Sequence, residues 1–336
     1  MFSGKLEDGL NYYKKTYYAI ATDPVHIGAG GARLERVDLP IIRETGTNIP
    51  KIPGTTLSGN ARLFTAMATA KDKKEVSFCA GRGGDGGEKH CGNVNPACPV
   101  CVPFGFSKGS RSLQGLAQFF DARILFFAVS SMAGPVWVTS PLALEGLGVD
   151  VSQIENDYFY PLGGQLDNKK VLNFGWIMLN RGDGQFDEIK VKIKELPVPE
   201  IVKNRLVLVS DGIFPHIVNG NLEVRTSVSI DPSTGTAEER ALFTYEAIPR
   251  GTVLKFDVVY NSGKFFKVEG EELKTEDGGI VSADWVKNNV EKGLGLFETF
   301  GIGGMGTRGM GRLKVLNLKT EKDADNKADG VLKGGL

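Results

Sequence analysis

Apolar and polar positions along this chain fall into a few clear periods. Tyr17 to Ala21 is a short apolar run that predicts a strand, closed by the glycine-rich segment Val25-His26-Ile27-Gly28-Ala29-Gly30-Gly31. After a polar stretch from Arg33 to Thr47, Pro53-Gly54-Thr55-Thr56 opens a helix predicted over Leu57 to Ala70. Thr55 or Thr56 serves as its N-cap, and Leu57, Ala61, Phe64 and Ala68 fall on one face. Strand signals return at Phe119-Phe120, Ile124 to Val129 and Val136 to Thr139, whereas 145–200 is acidic and weakly patterned. Val224 to Ile230 alternates, Asp231-Pro232-Ser233-Thr234-Gly235 is a turn, and Ala241 to Ala247 supplies the return arm of a long β-hairpin. Val253 to Tyr260 reads as a sheet strand. Trp285, Val286, Val290, Leu294 and Phe297 form the apolar stripe of a helix over Ser282 to Phe300, and Leu313 to Leu318 is a last alternating strand.

Strands interleaved with two helices predict an α+β fold of the split βαβ, ferredoxin-like (RRM-like) type, carrying large insertions. Residues 1–70 begin this body, 71–118 form a glycine- and cysteine-rich insertion, and 119–222 continue the body with an acidic insertion. The hairpin occupies 223–250, the body is completed over 251–318, and 319–336 is a charged tail expected to be mobile.

Composition narrows the function classes. The 336 residues carry 40 Lys+Arg against 40 Asp+Glu, and 41% are hydrophobic, the makeup of a folded soluble protein. No apolar run reaches the roughly 20 residues that span a bilayer. The opening segment MFSGKLEDGLNYYKK, with Glu7 and Asp8, lacks the apolar core of a secretory signal. A cytoplasmic, reducing setting with no membrane partner is the expectation. Zero net charge, taken alone, does not point to nucleic acid. Glycine is the outlier, at 44 residues, nearly twice the average usage of about 7%.

All four cysteines lie within 23 residues, as Cys79-x11-Cys91-x6-Cys98-x2-Cys101. A reducing compartment disfavours disulfides, and Cys98-Pro99-Val100-Cys101 has the spacing of a knuckle that binds one tetrahedral metal. A structural zinc on Cys79, Cys91, Cys98 and Cys101 is predicted, because an insertion without its own core gains stability from a metal. His90 offers an alternative ligand, and four free thiols in a loop are the plain alternative. No further His or carboxylate marks an open position, so the metal is not read as catalytic.

Gly301-Ile302-Gly303-Gly304-Met305-Gly306 matches GxGxxG by letter, but a helix precedes it and a strand follows, which excludes a dinucleotide unit. What remains is either a tight turn or a loop whose amides, with Arg308 and Arg312, meet a phosphate backbone. The chain has three histidines, His26, His90 and His216, and no GxSxG, so a serine hydrolase is not indicated. His26 sits where backbone can approach a ligand, although a lone loop histidine also serves as a packing residue. Asp38, flanked by Arg33, Arg36 and Arg43, is either a solvated ion pair or the carboxylate that organises a phosphoryl-transfer site.

Together these segments resemble the RAMP superfamily of CRISPR-associated proteins. The resemblance rests on His26-Ile27-Gly28-x-Gly30 and on Asp38-x-Pro40-Ile41-Ile42-Arg43-Glu44. It extends over Ile49-Pro50-Lys51-Ile52-Pro53-Gly54-Thr55-Thr56-Leu57-x-Gly59-x-x-Arg62 and Arg308-Gly309-x-Gly311-Arg312. Asp121-Ala122-Arg123-Ile124-Leu125-Phe126-Phe127, Trp137-Val138-Thr139-Ser140-Pro141-Leu142 and Ile230-Asp231-Pro232-x-Thr234-Gly235-Thr236-Ala237-Glu238-Glu239 narrow it further. These are similar to the repeated backbone subunit of the type III-B (Cmr) effector complex.

The resemblance implies a ferredoxin-like palm with a β-hairpin thumb. It implies copies of the chain stacked along a guide crRNA beside other type III-B subunits, cutting target RNA at regular intervals in antiviral defence. The family's catalytic Asp falls on Asp38, a nearby His on His26 and a thumb acid on Glu239, with Leu242 or Phe243 as the wedge that splits the duplex. The implied chemistry is attack by the target's own 2′-hydroxyl, leaving a cyclic phosphate, with magnesium supporting the charge. RNA contacts are implied at Gly28, Gly30, Arg43, Lys51, Gly54, Thr55, Thr56, Ser58, Arg62, Gly303, Gly304, Arg308 and Arg312. Ser58 stands where the superfamily often has Lys, which shifts that phosphate contact to the helix N-terminus, Thr55, Thr56 and Arg62. Two alternatives stay open: a non-catalytic RNA-binding scaffold, and a stand-alone guide-processing endoribonuclease. The neutral total also resolves by segment, into net +5 over 1–130, −8 over 131–300 and +3 over 301–336. The positive segments are those that carry the implied RNA contacts.

Overall fold

A computed structural model describes residues 12–30, 37–70, 79–81, 88, 90–149, 151, 154–237 and 242–318. Glu239, Arg33, Arg36 and the 319–336 tail lie outside these residues. Four strands form the heart of the sheet: β1 (Tyr12–Ala21), β2 (Ala122–Ser131), β7 (Val253–Asn261) and β8 (Leu313–Val315). They lie in the order β8-β1-β7-β2, every neighbouring pair antiparallel. β1 alternates as a half-buried strand should, with Tyr17, Ala19 and Ala21 turned into the core.

Two helices cover that buried side, α1 (Gly54–Thr69) and α2 (Ala283–Gly295). Leu57, Ala61 and Phe64 of α1 share one core with Val286, Val290 and Leu294 of α2 and with Tyr17, Val258 and Tyr260 from the sheet. Ser282 caps α2 by accepting a 3.1 Å bond from the Trp285 N–H. The helix expected to run on to Phe300 is interrupted at Leu296, after which Phe297–Phe300 makes one short turn of its own. At α1 neither Thr55 nor Thr56 is the cap. Pro53 occupies that position without a side-chain bond, and Asp121 Oδ1 instead accepts the Gly54 N–H at 2.8 Å. A carboxylate distant in the chain thus satisfies the helix start. Gly54 is required there because a Cβ would meet the Phe119 carbonyl oxygen at 2.5 Å.

Past β2 the sheet continues through β3 (Gly134–Thr139) and β4 (Leu206–Leu208), then Tyr158–Pro161, Ile177–Arg181 and Val171–Phe174; with Lys51–Ile52 beside β2 and Ala117–Phe119 beside β7 it has eleven strands among the described residues. β4 runs parallel to β3, and Ile177–Arg181 runs parallel to Tyr158–Pro161. The molecule is therefore a mixed α/β fold around a central mixed sheet, with the antiparallel four strands and their two helices at one side of it. The weakly patterned block 145–200 supplies three of these strands and a helix, Asp187–Glu195.

The hairpin is a separate two-stranded ribbon of β5 (Glu223–Ser227) and β6 (Phe243–Ala247), in register from Glu223↔Ala247 to Ser227↔Phe243. An isolated bridge, Ile230↔Ala237, extends it toward the turn. Among the described residues no helix is long and apolar enough to cross a membrane.

Candidate functional site

Three loops and the ribbon base converge at one end of the sheet. Backbone bridges join Val25 to Ile248, His26 to Gly304, Gly28 to Ile41 and Leu39 to Tyr245. The glycine-rich C-terminal loop is pinned here, with Gly304 N donating to His26 O at 2.9 Å and Gly311 N to Pro24 O at 2.8 Å. Gly303 has φ +81°, and a Cβ on it would stand 2.5 Å from the His26 carbonyl oxygen. Gly303 and Gly304 therefore serve close packing against the His26 loop.

Asp38 is exposed at the foot of the ribbon. Its Oδ2 accepts the Thr244 N–H at 2.7 Å and the Thr244 hydroxyl at 2.9 Å, while Asp38 N lies 3.2 Å from the same hydroxyl oxygen. The Thr244 N–H, and then its hydroxyl, hold the Asp38 carboxyl below the usual carboxylate range. It is ionised at neutral pH. His26 is buried, with Nδ1 2.7 Å from the Glu246 carbonyl oxygen, so that nitrogen carries the proton and donates. Its Nε2 side lies between Gly28 and Gly304, where side chains are missing. The edge of its ring meets the Tyr245 ring, centroids 6.0 Å apart. Phe243 is half-buried beneath the Arg308 guanidinium, 5.3 Å from the ring centroid, while Leu242 is 65% exposed.

Several basic residues read from sequence as RNA contacts have partners inside the protein. Arg43 bonds Glu246, Asn219 and the Ile41 carbonyl oxygen. Lys51 pairs with Asp121 at 2.6 Å, and Arg312 pairs with Asp23 through two nitrogens. Arg62 turns into the cysteine insertion. Gly28, Gly30 and Thr55 are exposed, whereas Thr56 and Ser58 are half-buried. Thr244 and Glu246 were not singled out from sequence, although two polar residues alternating with aromatics in a return arm are a usable signal.

The second site is the cysteine cluster. All four Sγ atoms lie within 4.8 Å of one another, with Cys79–Cys91 at 3.4 Å, Cys91–Cys101 at 3.7 Å and Cys79–Cys98 at 3.8 Å. None is in a disulfide. Tetrahedral metal–sulfur bonds of about 2.3 Å place sulfurs roughly 3.8 Å apart, so the donor set fits a metal. The Cys101 N–H points at Cys98 Sγ over 3.3 Å, as a knuckle requires. His90 stands outside the cluster, with Nδ1 3.2 Å from Arg62 Nη2; burial and then the Arg62 charge push its pKa down. Arg62 also donates from Nε to the Cys79 carbonyl oxygen at 2.8 Å, which ties the insertion to α1. Four such thiols can hold a structural metal such as zinc.

Comparison with known proteins places these features. The CRISPR system Cmr endoribonuclease Cmr4 of Pyrococcus furiosus is 28% identical over 247 residues, spanning 68% of this chain and 76% of that protein. A crystal structure of Cmr4 superposes with TM-score 0.56 at 20% identity, over 90% of this chain and 98% of that one. An apo type III-B Cmr-beta structure gives TM-score 0.59 at 13% identity, over 90% and 96%. Oligomeric Cmr4 from Pyrococcus furiosus gives 0.56 at 19%, also over 90% and 96%. These structures share the fold. The model of the RAMP superfamily matches residues 19–314, a span that takes in the His26 loop, the cysteine cluster, the ribbon and the glycine loop, and the chain belongs to that superfamily.

Proposed function

We propose that this chain is the guide-RNA-binding backbone subunit of a type III-B CRISPR effector complex and that it cuts target RNA at Asp38. One observation carries the reading: an exposed, ionised Asp38 is fixed to Thr244 of the ribbon, on the strand whose Glu246 holds buried His26 and whose Phe243 lies under Arg308. The homology to a Cmr endoribonuclease supports it. In this reading β8-β1-β7-β2 with α1 and α2 is a ferredoxin-like palm, β5 and β6 are the thumb, and exposed Leu242 is the wedge. Guide crRNA, target RNA, further copies of the chain and other complex subunits are its partners, and the four cysteines hold a structural zinc.

A nucleotide displaced from the duplex leaves its 2′-hydroxyl free to line up with the adjacent phosphate, so positioning supplies much of the rate. Asp38 keeps Oδ2 on Thr244, and Oδ1 accepts the target 2′-hydroxyl. An ionised carboxylate whose pKa lies below its usual range is a weak base at neutral pH, so its work is to orient the hydroxyl as it attacks. His26, with its proton fixed on Nδ1 by the Glu246 carbonyl oxygen, offers Nε2 as the acceptor of the 2′-hydroxyl proton. Arg308 places positive charge where the phosphate becomes more negative. The 2′-oxygen bonds to phosphorus as the bond to the 5′-oxygen breaks, and the 5′-oxygen takes a proton from water, leaving a 2′,3′-cyclic phosphate and a 5′-hydroxyl end. Magnesium would meet one carboxylate here among the described residues and no cage of three ligands. It would be held chiefly by RNA phosphates with Asp38, adding charge stabilisation. Glu239 remains a second acid proposed for the thumb.

The test is Asp38→Ala in guide-loaded complexes. Target binding should persist and cleavage should disappear. Unchanged cleavage with intact binding would leave a scaffold role, and cutting of precursor guide RNA by the lone chain would favour a processing enzyme.

A further inference from the structure

We infer that Glu246 and Arg43 form a positioning clamp for the Asp38 loop, and that Arg43 is not a guide-RNA contact. The inference rests on the reading of Asp38 given above. Glu246 is only 7% exposed, an unusual place for a carboxylate. Its Oε1 accepts both the Ile41 N–H at 3.0 Å and Arg43 Nη2 at 2.7 Å. Its backbone carbonyl accepts from His26 Nδ1, and its backbone N–H reaches the Leu39 carbonyl oxygen at 3.4 Å. One residue of the ribbon therefore holds His26, the neighbour of Asp38, and the loop that follows.

Arg43 completes the clamp. Nε donates to Asn219 Oδ1 at 3.0 Å and Nη1 to the Ile41 carbonyl oxygen at 2.9 Å, so all three guanidinium nitrogens are used inside the protein. Asn219 is itself oriented by bonds to the Asn48 and Pro215 carbonyl oxygens. A buried charge pair stabilises little over an apolar pair of the same shape, but loss of one partner leaves the other uncompensated. Its effect here is geometric. It fixes the loop that carries Asp38 against the strand that carries Thr244, and a shift of about 1 Å at such a group can cost up to 100-fold in rate.

The test uses guide-loaded complexes carrying Glu246→Gln, Arg43→Gln, both together, Arg43→Lys, and Asp38→Ala in parallel. Single-turnover cleavage at saturating target, guide and target affinity across a salt series and thermal midpoint are measured. Each single amide variant should slow cleavage about 10- to 100-fold, with affinity within about twofold and an unchanged salt slope. The double variant, which restores a neutral matched pair, should lose less than the two single losses multiplied together. Arg43→Lys, which keeps the charge but not the fork, should slow cleavage without loss of fold, and it decides the matter if the amide variants do not assemble. A guide-affinity salt slope smaller by about 0.7 in Arg43→Gln, restored in Arg43→Lys, would make Arg43 a phosphate contact and overturn the inference. Wild-type cleavage by the Glu246 and Arg43 variants beside an inactive Asp38→Ala complex would overturn the clamp alone. Normal cleavage by Asp38→Ala would instead remove the reading beneath it.

Discussion

Thr244 holds Asp38 twice on the same carboxylate oxygen, through its N–H at 2.7 Å and its hydroxyl at 2.9 Å. Both donors favour the charged form, which keeps the carboxyl ionised below its ordinary range and leaves Oδ1 without a partner among the described residues. The acid is therefore held in one orientation although it is exposed. A strand 206 residues away along the chain supplies that restraint.

Thr244→Val removes the hydroxyl and keeps the backbone donor. The Asp38 pKa should rise toward the ordinary value, since one of the groups favouring the anion is gone, and the anion should then be lost at a higher pH as acid is added. Cleavage at neutral pH should fall roughly tenfold, the order expected for a misoriented group. Carboxyl titration by NMR and single-turnover cleavage check the two halves. An Asp38 pKa that does not move would assign the restraint to the backbone N–H.

Metal removal probes the cysteine cluster. Purified protein should carry about one zinc per chain, and chelation or Cys101→Ser should lower the thermal midpoint by several degrees, on a scale of about 2–4 °C per kcal/mol. The loss should reach α1, because Arg62 bonds the Cys79 carbonyl oxygen. Protein free of metal with an unchanged midpoint would reject the site.

Asp121 links Lys51 to the first N–H of α1. Burial acts to raise its pKa, but Lys51 and the Gly54 N–H more than offset this and the net shift is downward. Its contribution is therefore present above the unfolded value of about 3.9 and is lost as pH falls through the lower folded value. Asp121→Ala should cost about 1 kcal/mol near pH 7, as a lost helix cap does, with little added by the solvent-screened Lys51 pair. Urea unfolding of both proteins should show that gap closing in strong acid. An equal gap at every pH would point to packing instead.

Two glycines of one loop should behave differently. Gly303→Ala forces a positive φ and a clash with the His26 carbonyl, and should destabilise by at least about 1 kcal/mol while slowing cleavage. At Gly306 a Cβ would meet nothing within 4 Å, so Gly306→Ala should stay within about 0.5 kcal/mol. Chemical denaturation compares them; equal losses would mean that the loop does not pack as described.

Local regularity was readable along the chain. The alternation of Val253 to Tyr260, the stripe from Val286 to Leu294 and the hairpin around Asp231–Gly235 are short-range properties, and all three appear. So is the gathering of four cysteines, whose thiols meet in one cluster. The block 145–200 was not readable. Its strands are short, and those beside them, such as β4, are buried on both faces and show no alternation to detect.

Charge by itself does not say which cations are paired inside the protein. Arg43, Lys51, Arg62 and Arg312 look alike as basic residues beside glycine motifs, yet each has a partner set by contacts across the fold. Residue type, period and spacing settle which elements form and which chemistry is available. Which carboxylate meets which cation, and which strand steadies Asp38, depends on segments distant in sequence being brought within about 3 Å of each other, the range of a hydrogen bond. No local pattern encodes that distance; the packed sheet and ribbon create it.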